Sequence, residues 1–177
     1  MKNLKIALVG NPNAGKTTLF NALTGSRQHV GNWPGKTVEC KQGHFRHGGK
    51  EIDVIDLPGT YSLTAYSEEE VIARDFILFE KPDIVVAVVD ATNLERNLYL
   101  VVQVLELQVP MILVLNMSDR ARSLDYEIDD IGLSERLGGT PVVFMCARSR
   151  EGLGELRDEI IDLAKINEST AQKKVFS

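Results

Sequence analysis

A chain of 177 residues with 44% hydrophobic and 25% charged side chains has the size and composition of one globular domain with a sizeable core. These values exclude an intrinsically disordered chain, a coiled coil and a disulfide-rich miniprotein. The formal net charge of −5 argues against a broad nucleic-acid-binding surface, and no apolar run approaches the ~20 residues of a membrane-spanning helix.

Five short runs rich in Val, Ile and Leu recur along the chain, with amphipathic stretches of helical length between them. Such runs are typical of strands buried on both faces, and their alternation with helices predicts right-handed crossovers. We therefore expect a mostly parallel sheet with helices on both of its faces. The predicted strands are residues 4–9, 52–55, 84–89, 111–115 and 142–145.

One predicted hairpin interrupts this alternation. Residues 38–45 and 51–55 are joined through residues 47–50, whose His-Gly-Gly-Lys sequence suits a tight turn. The hairpin adds one antiparallel edge strand, so we expect an α/β fold with a mostly parallel sheet of six strands. Residues 1–167 are expected to form this domain, and the polar residues 168–177 a C-terminal tail.

The first chemical motif is GNPNAGKT at residues 10–17, which matches a phosphate-binding loop between a predicted strand and a predicted helix. Its glycines allow backbone N–H groups to surround phosphate oxygens, and the helix N-terminus adds positive potential. Lys16 can reach the β and γ phosphates, and the Thr17 hydroxyl can bind Mg²⁺. The predicted nucleotide contacts here are Gly10, Asn11, Asn13, Ala14, Gly15, Lys16, Thr17 and Thr18.

The second motif is DLPG at residues 56–59, at the end of a predicted strand. Asp56 would lie near Mg²⁺, and the N–H of Gly59 could meet the γ phosphate. By itself, this sequence is typical of a common turn. It indicates a nucleotide site here because it follows the phosphate-binding loop in the sequence and ends the neighbouring predicted strand.

The third motif is Asn116-Met117-Ser118-Asp119, directly after the predicted strand 111–115. The Asp119 carboxylate can accept hydrogen bonds from N1–H and the exocyclic amine of guanine, a donor pair that adenine lacks. Asn116 would support the ring and its loop, and Met117 belongs to the same contact segment. An ATP-binding protein would leave this carboxylate unpaired, so the motif favours GTP and GDP.

Together with Thr37, these motifs resemble the Ras-like family of P-loop GTPases across almost the whole chain. Finer agreement lies at residues 10–21, 30–39, 56–63 and 93–100, which include VGNWPG, DLPGTYSL and NLERNLYL. With these segments the chain closely resembles the cytosolic G domain of the bacterial ferrous iron transport protein FeoB. The fold implied is that of a P-loop NTPase.

The resemblance implies a role for each switch segment. Residues 28–36 would form the first switch, and Thr37 would close on Mg²⁺ and the γ phosphate. The second switch would run from Asp56 to about residue 67. Asn13 matches the family position associated with bound K⁺. The residues expected to act in slow GTP hydrolysis are therefore Asn13, Lys16, Thr37 and Gly59, and those expected at metal ions are Asn13, Thr17, Thr37 and Asp56.

The resemblance also implies a wider context. The family carries this domain in the cytoplasm, followed by a helical domain and an inner-membrane region that conducts Fe²⁺, and GTP hydrolysis would drive or gate iron uptake. These domains would be its partners, without nucleic acid, and both a monomer and a self-associating domain are compatible with it. The alternatives are a soluble RNA- or ribosome-associated GTPase and a nucleotide sensor with negligible hydrolysis.

Two positions depart from the family pattern. Lys36 stands where an apolar residue usually precedes the switch threonine, so docking of this loop is expected to differ. The last guanine-binding loop, expected as Ser-Ala-x, reads Cys146-Ala147-Arg148. The Ala147 N–H can still meet the guanine carbonyl oxygen, but a thiol is a weaker hydrogen-bonding group than a hydroxyl. We therefore expect fast nucleotide release.

Two features invite a functional interpretation that we do not adopt, and a third, Trp33, is assigned to a loop. His44 and His47 point to opposite faces of a strand and lack further metal ligands nearby, which favours a surface hairpin over an iron site. Residues 68–70 are three glutamates, typical of an acidic helix N-terminus. Trp33, between Asn32 and Pro34, is expected in a mobile loop rather than in the core.

Overall fold

The computed structural model describes residues 3–175, and within them seven strands form one sheet. Their order across the sheet is β2-β3-β4-β1-β5-β6-β7. The pairs β4-β1, β1-β5, β5-β6 and β6-β7 are parallel, whereas β3 is antiparallel to both of its neighbours. The strands are β1 (Leu4–Gly10), β2 (Gln28–Asn32), β3 (Glu39–His47), β4 (Lys50–Asp56), β5 (Ile84–Asp90), β6 (Met111–Asn116) and β7 (Val142–Phe144).

Helices connect the parallel strands, as the alternating pattern predicts. A π-helical turn, Phe76–Glu80, extends the second helix, and a 3₁₀ turn, Ala91–Asn93, precedes the third. The helices are α1 (Lys16–Thr24), α2 (Glu68–Asp75), α3 (Leu94–Glu106), α4 (Ser118–Ser123), α5 (Asp130–Arg136) and α6 (Leu153–Val175). The Ser67 and Asp129 side chains accept hydrogen bonds from the first turns of α2 and α5.

The alternation of side chains along β1 divides the core into two layers. Ile6 and Leu8 pack in a cluster that includes α1 and α6, and Ala7 and Val9 pack in a cluster that includes α3 and the π-helical turn. Six of the seven residues of β5 are buried, as expected for a central strand covered on both faces. The predicted α/β fold with helices on both faces is confirmed.

The sheet has seven strands rather than six, because residues 28–32 form β2 instead of a first-switch loop. β2 pairs antiparallel with β3, from Gln28 opposite Gly43 to Asn32 opposite Glu39. All five β2 residues are exposed, so the strand carries no alternation of buried and exposed side chains. Strand β2 is held by backbone hydrogen bonds to β3. Because every residue type except proline can make these bonds, the sequence shows no hydrophobic pattern that would predict the strand.

Helix α6 passes through residue 168 without a break, so no change of secondary structure marks the predicted domain boundary there. The β3-β4 hairpin lies against this helix: His47 Nε2 is 2.6 Å from Asp158 Oδ1, and Lys50 forms an ion pair with Glu168. The division at residue 168 stays a prediction. Among the described residues, no helix combines the length and the apolar character that crossing a membrane requires.

Candidate guanine nucleotide site

The phosphate-binding loop joins β1 to α1 in a conformation that requires glycine at two positions. A Cβ on Gly10 would lie 2.5 Å from the Val88 carbonyl oxygen, and a Cβ on Gly15, whose φ is +87°, would lie 2.0 Å from Asn116 Nδ2. Helix α1 begins at Lys16 with no side-chain cap. Its first N–H groups therefore point into the loop without an intramolecular partner, as an anion site requires.

A cavity of about 580 Å³ opens over this loop, within the size range of small-molecule sites. A larger groove of about 900 Å³ lies beside Trp33, His44 and Phe76, but it contains neither a glycine-rich turn nor a helix N-terminus. We therefore assign the site to the smaller cavity. Eight of the predicted contact residues line it: Asn11, Asn13, Gly15, Lys16, Thr17, Thr18, Gly59 and Met117.

Lys16 and Asp56 form a buried ion pair beneath the cavity, with relative exposures of 8% and 6%. Asp56 ends β4, which neighbours β1, so the sheet itself places the carboxylate beside the phosphate-binding loop. A buried ammonium group needs such a partner. The Thr17 hydroxyl and the Asp56 carboxylate are hard oxygen donors of the kind that Mg²⁺ prefers, and this donor set fits the ion.

Asn116 connects the two halves of the site. Its Nδ2 donates to the Ala14 carbonyl oxygen at 2.9 Å, and its Oδ1 accepts from the Ala147 N–H at 2.9 Å. The Ala147 N–H, predicted to meet guanine, is therefore engaged by Asn116. Arg148 is exposed and lies outside the residues that line the cavity.

Asp119 is exposed in the first turn of α4. A hydrogen bond from the Cys146 thiol and another from the Arg120 N–H lower the pKa of this carboxyl group. An aspartate is ionised at neutral pH even at its ordinary pKa, and the carboxylate is the form that accepts two hydrogen bonds. The Cys146 side chain thus lies close to the predicted guanine-reading carboxylate, a proximity that sequence reasoning missed.

The first switch segment is folded against the rest of the domain rather than over the cavity. The Trp33 ring contacts Phe76 edge-on, with 5.6 Å between centroids, while its backbone lies in a loop, so the ring is partly buried against the core and the mobility of the loop stays a prediction. Lys36 forms an ion pair with Glu68 at 3.1 Å. Thr37 is exposed, and neither Thr37 nor Gly31 is among the residues that line the cavity.

The second switch segment is held at both ends. The Thr60 N–H donates to the Gly10 carbonyl oxygen at 3.1 Å. The Glu70 carboxylate accepts from Ser62 Oγ at 2.7 Å and from the Tyr66 N–H at 2.9 Å. The hydrogen bond from Ser62 is the main cause of the lowered pKa of Glu70. Glu70 follows Ser67 at the spacing of a capping box, which is a sequence signal for this anchor.

His44 and His47 lie on β3 of the β3-β4 hairpin, as predicted. His44 Nε2 lies 4.0 Å from Glu51 Oε1, and His47 contacts Asp158. Across residues 3–175, no group of three or more His, Cys, Asp or Glu side chains has the arrangement of a metal site.

Replacing Gly15 by alanine is expected to lower the free energy of unfolding by about 2 kcal/mol or more, because a Cβ there meets Asn116 and the positive φ is strained. Gly139 is the matched control: its φ is +83°, but a Cβ would meet no atom within 4 Å. We expect Gly139→Ala to cost about 1 kcal/mol. Urea denaturation of both variants measures the difference, and equal losses would contradict the close contact with Asn116.

Comparison with known proteins identifies relatives of this chain. A family model described as ferrous iron transport protein B matches residues 4–160. The Fe(2+) transporter FeoB of Escherichia coli K12 is 50% identical over 173 residues, which cover 96% of this chain and 22% of the relative. An Fe(2+) transport protein A/Fe(2+) transporter FeoB fusion protein of Porphyromonas gingivalis is 48% identical, with 90% and 19% covered. The chain spans about a fifth of the length of these curated relatives.

Two solved structures share the fold at high identity. The FeoB G-domain from Methanococcus jannaschii has a TM-score of 0.82 at 48% identity, covering 93% of this chain and 99% of that chain. The cytosolic domain of the T. maritima FeoB iron transporter in its GMPPNP form has a TM-score of 0.88 at 48% identity, covering 91% and 64%. The resemblance inferred from the motifs is confirmed, and the RNA-associated alternative is not favoured. The chain belongs to the ferrous iron transport protein B family, in which it corresponds to the P-loop GTPase domain.

Proposed function

We propose that this domain binds GTP together with Mg²⁺ and hydrolyses it to GDP and phosphate. The observation that carries the proposal is the arrangement around Asn116, which joins the phosphate-binding loop to the guanine loop, with the exposed Asp119 carboxylate three residues further along the chain. The cavity over the phosphate-binding loop would therefore hold the phosphates, and Asp119, two residues beyond Met117 in its lining, would select guanine. The GDP and GMPPNP forms of the T. maritima relative support a guanine nucleotide as the ligand.

Binding would rearrange the buried ion pair. The phosphates compete for the Lys16 ammonium, so Asp56 loses its partner and becomes available as a metal ligand together with Thr17. When bound, Mg²⁺ offsets negative charge on the β and γ phosphate oxygens. Thr37 lies away from the cavity and would have to move with the first switch to reach the γ phosphate.

Hydrolysis requires a water oxygen to attack the γ phosphorus while the bond from that phosphorus to the β–γ bridging oxygen breaks. Thr60 and Tyr61 stand where many Ras-like proteins have a water-orienting glutamine. Lys16 and the Gly59 N–H would still offset charge on the phosphate. Without glutamine or an arginine finger, turnover is expected on the order of 10⁻⁴ to 10⁻² s⁻¹.

Incubating the domain with GTP and Mg²⁺ and measuring released phosphate tests this proposal. Slow release from GTP, with none from ATP above the buffer background, is the expected result. Failure to bind labelled GDP, or equal release from GTP and ATP, would contradict it.

Nucleotide release gives a separate prediction, because the Cys146 thiol lies close to Asp119 and is a weaker hydrogen-bonding group than a hydroxyl. Cys146→Ser substitutes a stronger donor and is expected to slow GDP dissociation by up to about tenfold, which corresponds to ~1 kcal/mol. Stopped-flow release of a fluorescent GDP measures the rate. Cys40→Ser, at a buried thiol in β3, is the control and should leave the rate unchanged. Unchanged or faster release from Cys146→Ser would count against the assignment.

We further propose that the domain is the cytoplasmic part of a longer bacterial inner-membrane protein and that its GTP cycle drives or gates ferrous iron uptake. The support is that the relatives described above are Fe(2+) transporters about five times as long as this chain. The adjoining helical and membrane domains would be its partners. Iron flux into vesicles containing the full-length protein, compared between GTP and a nonhydrolysable analogue, distinguishes driving from gating. Flux that is indifferent to guanine nucleotides would exclude both.

A further inference from the structure

Helix α3 holds the second switch at two points that are two helical turns apart. The Arg96 guanidinium carbon lies 4.7 Å from the centre of the Tyr61 ring. Seven residues further along the same helix, Gln103 Oε1 accepts a hydrogen bond from the Leu63 N–H at 2.8 Å. Residues 60–63 are therefore fixed at one end by the hydrogen bond from Thr60 to Gly10, at the end of β1, and at the other by the side chains of α3.

Burial of apolar surface does not explain the stacking of Arg96 on Tyr61, because both side chains are exposed. Tyr61 is 47% exposed, and Arg96 is exposed as well. Within residues 3–175, no carboxylate pairs with Arg96. The two side chains instead close one side of a small polar cavity of about 180 Å³ against the phosphate-binding loop, lined also by Asn11 and Asn13. The pair thus lies directly beside the loop that would hold the phosphates.

We propose that Arg96 is a positioning residue for GTP hydrolysis. By stacking on Tyr61 it fixes residues 59–61 against the phosphate-binding loop, so that the Gly59 N–H is held toward the γ phosphate. The inference rests on the proposed GTPase function. Its physical basis is that no glutamine directly follows Gly59 in this chain, so backbone groups of this loop are needed, besides Lys16, to stabilise the transition state. Such groups act only as precisely as the loop is held.

Two pairs of substitutions test the stacking itself. Arg96→Gln and Tyr61→Leu remove one partner each and are expected to lower the single-turnover rate about fivefold, with the KM for GTP and the affinity for GDP within about twofold of wild type. Tyr61→Phe keeps the ring and is expected to retain the wild-type rate. Arg96→Lys keeps the charge but loses the planar group, and an intermediate rate is expected.

The double variant Arg96→Gln, Tyr61→Leu is expected to be no slower than the slower single variant, because both substitutions break one interaction. Arg136→Gln on α5 and Tyr99→Leu on α3 replace exposed side chains elsewhere and should leave the rate unchanged. A wild-type rate for Arg96→Gln, a fivefold loss for Tyr61→Phe, or losses that multiply in the double variant would overturn the proposal. A wild-type domain that fails to bind or hydrolyse GTP would instead overturn the proposed function.

Discussion

Asp119→Asn is expected to lower the affinity of the domain for GTP and GDP by about 10² to 10³-fold, or ~3 to 4 kcal/mol. An ionised carboxylate accepts both hydrogen bonds from the guanine N1–H and amine, whereas an amide presents one acceptor and a donor that faces the amine. Xanthine has a carbonyl in place of that amine, so the variant is expected to bind xanthosine triphosphate better than GTP. Competition against labelled GDP measures all three nucleotides.

Asp125→Asn is the matched control for this experiment, since Asp125 is exposed in the segment just beyond α4. Its nucleotide affinities should equal those of wild type. ATP should compete poorly with every variant. ATP that displaces labelled GDP from the wild-type domain at the same concentration as GTP would refute the assignment of Asp119 to guanine recognition.

Potassium is expected to raise the rate of GTP hydrolysis on the order of 10²-fold over sodium, below the 10³ to 10⁵ of an arginine finger. Asn13 lines the cavity and has a φ of +67°. Its side-chain oxygen could help to hold a monovalent cation against the phosphates, with carbonyl groups near Gly31 and Trp33 once the first switch moves. A bound cation would offset charge that no protein side chain offsets there.

Removing the Asn13 side chain is expected to abolish this stimulation while GDP affinity stays nearly intact. Alanine is strained at positive φ, so Asn13→Gly accompanies Asn13→Ala as a variant that removes the side chain without backbone strain. Asn13→Asp retains an oxygen donor and should retain the stimulation. Equal single-turnover rates of the wild-type domain in KCl and NaCl at matched ionic strength would exclude the cation and leave backbone groups to orient the water.

The amino-acid sequence by itself determined the fold class and the core of the site, because both depend on local pattern. Continuous apolar runs predict the buried parallel strands, and GNPNAGKT predicts its own loop because glycine at position 15 is compatible with a conformation that other residues resist. The motifs at residues 10–17, 56–59 and 116–119 follow β1, β4 and β6, which are parallel, so all three motifs lie at the same edge of the sheet. That placement follows from the topology of parallel sheets.

Only the tertiary structure decided features that depend on partners distant in sequence. Strand β2 is an exposed edge strand held by backbone pairing to β3, so no pattern of side chains in the sequence predicts it. The hydrogen bonds of Asn116 reach Ala14, 102 residues away, and Ala147, 31 residues away. Arg96 contacts Tyr61 because the strand order places α3 beside the second switch. Side-chain contacts of this kind depend on how the helices pack on the sheet. The sequence shows which residues are present, but their distances from one another follow only from that packing.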